Sequence, residues 1–166
     1  DESWRNIQAM NDLTLSLIQA TGQWVVAAMQ GNAGAGSVFM ALAADRLWAA
    51  SLACASPTAR AVNAAGMGEP TYVITGRFED APQTTGDDDV MTADLIERAR
   101  LGRPLDAVGT SAALLATNEA ANTLALGPDH CDPSDIELAA TVDAFDFAME
   151  VERTPLGLRL TARIPQ

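Results

Sequence analysis

The sequence predicts an α/β fold: a strand–turn–helix unit near the N-terminus, then a mixed α+β region with a C-terminal β-hairpin. Three observations carry this. The apolar run Val25 to Met29 leads into the glycine-rich stretch Gly31 to Gly36, and small and apolar residues follow from Ser37 to Ala44. Breaker clusters then alternate with helical and β-branched segments. Finally, Phe147 to Ile164 alternates about Thr154-Pro155-Leu156-Gly157, the pattern of a β-hairpin. With 166 residues, 48% hydrophobic and 19% charged, the chain can bury a core. Only 5% is aromatic, so packing relies on alanine and aliphatic side chains.

Taken in order, Trp4, Ile7, Met10, Leu13 and Leu17 recur at helical spacing, with Ser3 as a cap and Gly22 as a stop. Val25 to Met29 reads as a short buried strand, Gly31 to Gly36 as a turn and Ser37 to Ala44 as a helix. Leu47 to Ala49 reads as a second short strand. Ser56-Pro57-Thr58 and Gly66-Met67-Gly68-Glu69-Pro70 read as breakers, and Thr71 to Thr75 as a strand. Glu79 to Asp89, acidic and holding Pro82 and Gly86, reads as an exposed loop. Met91 to Leu101 and Ser111 to Leu126 read as helices, closed by Gly102 and by Gly127-Pro128. Ser134 and Glu137 fit a capping box for a helix running to about Asp143.

Charge narrows the partners. The net charge is -12, from 22 acidic and 10 basic residues. Such a chain repels nucleic acid and anionic membrane unless a basic patch overrides it, and none is visible. Arg98, Arg100 and Arg103 are flanked by Asp94, Glu97 and Asp106, as on a solvated helix face. Cys54 and Cys131 form no disulfide framework and fit a reducing compartment, so a cytoplasmic location is expected. No targeting or membrane-spanning run is visible; the most apolar stretch, Ala33 to Ala55, is interrupted by Asp45, Arg46 and glycines. A start at Asp1 fits a processed chain or a piece of a longer polypeptide.

The glycine stretch is the segment with specific chemistry. A turn opening a helix aims backbone N–H groups at whatever sits before it. A dinucleotide loop needs G-x-G-x-x-G and an acidic residue about 20 positions on. Here the order is G-x-x-G-x-G and Asp45 comes too early. No Lys-Ser or Lys-Thr follows, which excludes a P-loop. Two readings stay open: glycines that let a helix pack closely on a strand, and an N–H that polarises a thioester carbonyl. Elsewhere, Asp129-His130-Cys131-Asp132 lacks the donors of a zinc site and reads as a polar turn, so no metal is expected. Asp87-Asp88-Asp89 lacks the spacing of a calcium loop. His130, the only histidine, has no nucleophile elbow to serve. Trp4, Trp24 and Trp48 read as core residues.

Val26-Ala27-Ala28-Met29-Gln30-Gly31, then Ala33, Gly36, Ala41 and Asp45, resemble the signature of the enoyl-CoA hydratase/isomerase (crotonase) superfamily. Residues Glu2 to Leu13 and Gln30 to Asp45 are closer still to the crotonase-like domain of hydrogenase-maturation formyltransferase/crotonase fusion proteins. The resemblance covers residues 2 to 50. It divides the chain into a crotonase-like segment, 1–50, and an unassigned α+β region, 51–166.

What the resemblance implies is a module that handles a CoA thioester of the formyl-CoA type, in the service of nickel–iron hydrogenase maturation. The Gly36 N–H falls at the family's second oxyanion donor, and Gly31, Ala33 and Ala35 fall against the substrate. The thioester is substrate, and no tightly bound cofactor is implied; a homo-oligomer is compatible with the family. Phe39 stands where hydratases carry a glutamate, so ordinary water addition is not expected. The family's first oxyanion donor falls upstream of Trp4. The alternative is a non-catalytic structural or interaction domain that retains a crotonase core segment, or a chain joining two unrelated pieces.

Overall fold

The computed structural model describes residues 26–29, 46–74, 85–155 and 157–165. Within them the fold is mixed α/β, as the sequence predicts. Its elements are β1 (Val26–Met29), β2 (Arg46–Ala49), a 3-10 turn (Leu52–Cys54), α1 (Ala55–Ala65), β3 (Thr71–Tyr72), α2 (Asp87–Arg100), α3 (Ala107–Leu115), α4 (Asn118–Leu124), α5 (Pro133–Ala139), β4 (Ala148–Thr154) and β5 (Gly157–Arg163). The expected helices before β1 and between β1 and β2 lie outside the described residues, as do Trp4 and Trp24.

The strands form one sheet in the order β3-β1-β2-β4-β5. The first three are parallel, with Val26 opposite Arg46 and Ala27 opposite Thr71. β4 joins β2 antiparallel, with Trp48 opposite Glu150, and turns into β5 to make the predicted hairpin. The sheet therefore unites strands from both sides of residue 50. β1 stands between its two successors: the chain steps one way from β1 to β2, then returns across β1 to place β3 on its other side.

Two clusters hold this together. Trp48 on β2, Val62 on α1 and Ala148 on β4 are buried against one another. The second gathers Ala50, Leu52, Ala55 and Ala59 with Leu95 and Ile96 of α2, Leu114 of α3 and Ala140. Alanine supplies half of the buried residues in the second cluster, in keeping with the low aromatic content. On the exposed hairpin, Glu152 pairs with Arg159 and Arg163, and Glu150 with Arg46 (3.2 Å) and Arg163 (3.4 Å). Among the described residues no helix is long and apolar enough to cross a membrane.

Several boundaries depart from the sequence expectation, each for a local reason. Ser56-Pro57-Thr58 does not break a helix; it opens α1, where proline needs no N–H partner. The cap of α1 comes from far along the chain: Asp143 accepts the Ser56 N–H (2.7 Å) and the Ser56 hydroxyl. Asp143 holds a left-handed backbone (φ 53°) to do so. Asp87-Asp88-Asp89 is the first turn of α2 rather than loop, where acids favour the positive end of the helix dipole. Glu119 supports that end by accepting the Thr85 N–H (2.6 Å) and the Gly86 N–H (3.3 Å).

The helix expected over 111–126 is two. Asp106 caps α3 earlier than expected, and Thr117 caps α4 by accepting the Ala120 N–H (3.2 Å). The cap of α5 is Asp132, with Pro133 in its first turn and Asp135 reaching back to complete the box. Ser134 sits inside the helix instead. β3 is shorter than expected, ending at Tyr72.

Candidate functional site at the carboxyl edge of the sheet

Parallel strands in open α/β sheets present ligand sites outside their carboxyl ends, where the strand order reverses. β1 is at that reversal here. Register fixes what surrounds its end. Met29 is opposite Ala49 and Ala28 is opposite Tyr72. Val73 is thus level with Met29, and Ala50 and Ile74 are one residue beyond. These residues, with Tyr72 and with Asp89, Thr92 and Ala93 of α2, line a cleft with about 10 Å³ of free space at its centre. That is room for about one water-sized group. The cleft is therefore lined by residues at the ends of β2 and β3, the two neighbours of β1, and by α2.

Its polar lining is specific. Thr92 is 1% exposed, and its Oγ1 makes no hydrogen bond among the described residues. Asp89 is also buried. Tyr72 donates its hydroxyl to Glu97 Oε2 (2.9 Å), and Arg100 grips the same carboxylate through Nε (2.7 Å) and Nη2 (2.6 Å). Asn63 Nδ2 donates to the Arg100 carbonyl (2.9 Å), tying α1 to the end of α2. The Arg100 hydrogen bonds hold the Glu97 carboxyl below its ordinary range. Burial, and then the Glu97 carboxylate, push the Tyr72 phenol well above its own. Glu97 in turn raises Arg100. This triad is a clamp: it joins the end of β3 to the last turns of α2 and steadies the wall of the cleft.

The sequence-predicted site residues Gly31, Ala33, Ala35 and Gly36 lie outside the described residues, as do Phe39 and Asp45. His130 is exposed in the turn before α5, with Cys131 buried beside it. Both thiols are free, and burial raises that of Cys54. Among the described residues no group of three His, Cys, Asp or Glu side chains could hold a metal ion. The arginine cluster is not wholly solvated: Arg98 reaches Asp94 (3.9 Å) from the surface, but the Arg100 side chain is only 13% exposed. Sequence reasoning found the Glu97–Arg100 spacing. It missed Tyr72 and Thr92, whose roles depend on which helix packs over which strand.

Fold and cleft define a mixed α/β protein with a small, mainly apolar cleft at the carboxyl edge of its parallel strands. A 49-residue segment, 30% of the chain, is 57% identical to the hydrogenase maturation factor HoxX of Bradyrhizobium diazoefficiens. It spans only 9% of that protein's length. No family model and no solved structure matches the chain.

Proposed function

We propose that the chain is a crotonase-like module that handles a small CoA thioester in nickel–iron hydrogenase maturation, working in the cytoplasm. The observation that carries this is the 57% identity over 49 residues to a hydrogenase maturation factor. In this reading the Gly36 N–H is a donor to the thioester carbonyl, and Gly31, Ala33 and Ala35 lie along the substrate. Small residues suit that task because a backbone N–H polarises a carbonyl only if nothing stands between them. The position of β1 supports the reading, since the segment with these residues follows the strand at which the order reverses. Residues 1–50 form the crotonase-like segment and 51–166 the supporting α+β region.

A second reading is favoured by the length of the match. With 70% of the chain outside a 49-residue segment covering 30% of it, the protein is instead a non-catalytic interaction domain that keeps a crotonase core segment. Titration with CoA and acetyl-CoA separates the two. The thioester module gives saturable binding heat and amide shifts over Gly34 to Ser37. A titration with neither heat nor shifts sinks it and leaves the interaction domain.

A further inference from the structure

β5 ends the sheet: among the described residues its one strand neighbour is β4. The outer row of N–H and C=O groups on such a strand is a template for another strand. Edges are commonly blunted by proline, by bulges or by charges that stand over them. β5 (Gly157–Arg163) is seven residues long and holds no proline. It pairs with β4 residue for residue, without a bulge. Its two charges are drawn back onto β4: Glu152 takes both Arg159 and Arg163, and Glu150 also takes Arg163 (3.4 Å).

The two faces of the hairpin differ. Glu150, Glu152, Arg159 and Arg163 share a face with Trp48, and α1 covers that face through Val62. The other face carries Met149, Val151, Leu160 and Ala162. Leu160 is 56% exposed there, and Ile164, just past the strand, is 74% exposed. Apolar side chains therefore run out to the open edge.

Charge indicates what can come against it. At a net charge of -12, two copies of the chain repel each other over most of their surface. From Gly157 to Gln166 the sequence holds no acidic residue, and its two arginines are paired. At this edge two copies can meet without acid facing acid. Symmetry then selects a register. Two β5 strands related by a two-fold axis normal to the sheet pair antiparallel, with like faces on the same side. Centred on Thr161, the axis sets Arg159 opposite Arg163 of the second copy; centred on Arg159, it sets that arginine opposite itself. Like charges directly opposite are unfavourable. Centred on Leu160, the midpoint of β5, it pairs all seven residues. Leu160 then meets Leu160, Arg159 meets Thr161 and Arg163 meets Gly157.

We propose that β5 is a self-association edge, through which two copies of the chain join antiparallel about Leu160 into one continuous sheet. The inference is independent of the thioester reading. A seam of one strand from each copy is small, so the dimer is a reversible one of micromolar affinity.

The test uses the 166-residue chain and its Leu160→Lys, Leu160→Cys and Ala162→Cys variants. Sedimentation velocity should show the parent passing from monomer to dimer as its concentration rises through the micromolar range. Leu160→Lys sets two ammonium groups face to face and should weaken the dimer at least about ten-fold. Both native thiols are buried, so mild oxidation reports on the introduced cysteines. Opposite residues lie about 4.5–5.5 Å apart, within the span of a disulfide, so Leu160→Cys should cross-link to a covalent dimer. Ala162 of one copy is roughly 14 Å from Ala162 of the other, so Ala162→Cys should not. A parent that stays monomeric overturns the proposal, as does a dimer that Leu160→Lys leaves intact. Cross-linking of Ala162→Cys as readily as Leu160→Cys overturns the register and the proposal with it. Should Leu160→Lys lose its circular dichroism, the parent and the two cysteine variants decide alone.

Discussion

Tyr72 is the only tyrosine in the chain, so its ionisation can be followed directly by near-ultraviolet absorbance. An exposed tyrosine titrates near pH ~10. Tyr72 should do so at distinctly higher pH, because burial and the neighbouring Glu97 carboxylate both disfavour the phenolate. Its contribution to stability is complete below the unfolded value and lost as pH rises through the folded one. Glu97→Gln removes the carboxylate and not the burial, so the midpoint should fall part of the way back; an unchanged midpoint would refute the clamp. Glu97 runs the opposite way. Arg100 depresses it, so the stability it gives is present above the unfolded carboxylate range, near pH ~4.3, and lost as pH falls through the folded value. Acid unfolding of Arg100→Ala should accordingly begin at higher pH than in the parent.

At the scale of elements, what was legible followed from periodicity, and what was not followed from choices made by neighbours. β1 and β2 are short apolar runs and the β4–β5 hairpin alternates, so each strand can be read from its local sequence. The start of α1 was hidden because its cap, Asp143, lies 87 residues away from Ser56. Pro57 then looked like a breaker, although a helix tolerates it in the first turn. The split between α3 and α4 is marked in sequence by Thr117 alone. It accepts the Ala120 N–H and donates to the Leu114 carbonyl (2.7 Å), closing one helix while opening the next. Thr117→Ala should cost about 1 kcal/mol in chemical denaturation, a typical N-cap loss. A neutral result would show that helix packing, not the cap, sets this break. As for the candidate site, the glycine stretch singled out in sequence lies outside the described residues. Thr92 was not legible, because nothing along the chain says that its hydroxyl faces a cleft instead of the preceding turn.

For the whole molecule, the consequential contact is the pairing of β2 with β4, backed by Trp48, Val62 and Ala148. Trp48 is 2% exposed, and Ala148 is fully buried. Trp48→Ala should cost about 3–5 kcal/mol, the usual range for deleting a buried aromatic side chain. Native-state hydrogen exchange offers a more discriminating check. Amides of Leu47–Ala49 and Met149–Val151 should open with one common free energy, as parts of one cooperative unit. Distinct opening energies on the two strands would mean that the segments either side of residue 50 are separate folding units.

The same pairing sets an order on biosynthesis. β2 leaves the ribosome roughly a hundred residues before its partner β4. Through that interval one flank of Trp48 and the hydrogen-bonding edge of β2 await a strand not yet made. Closing so long a loop is slow compared with forming the local helices α1 to α5. The helices can therefore assemble first, and the hairpin arrives last to complete the sheet. Until it does, the edge of β2 that β4 later covers is open to mispairing with a neighbouring copy.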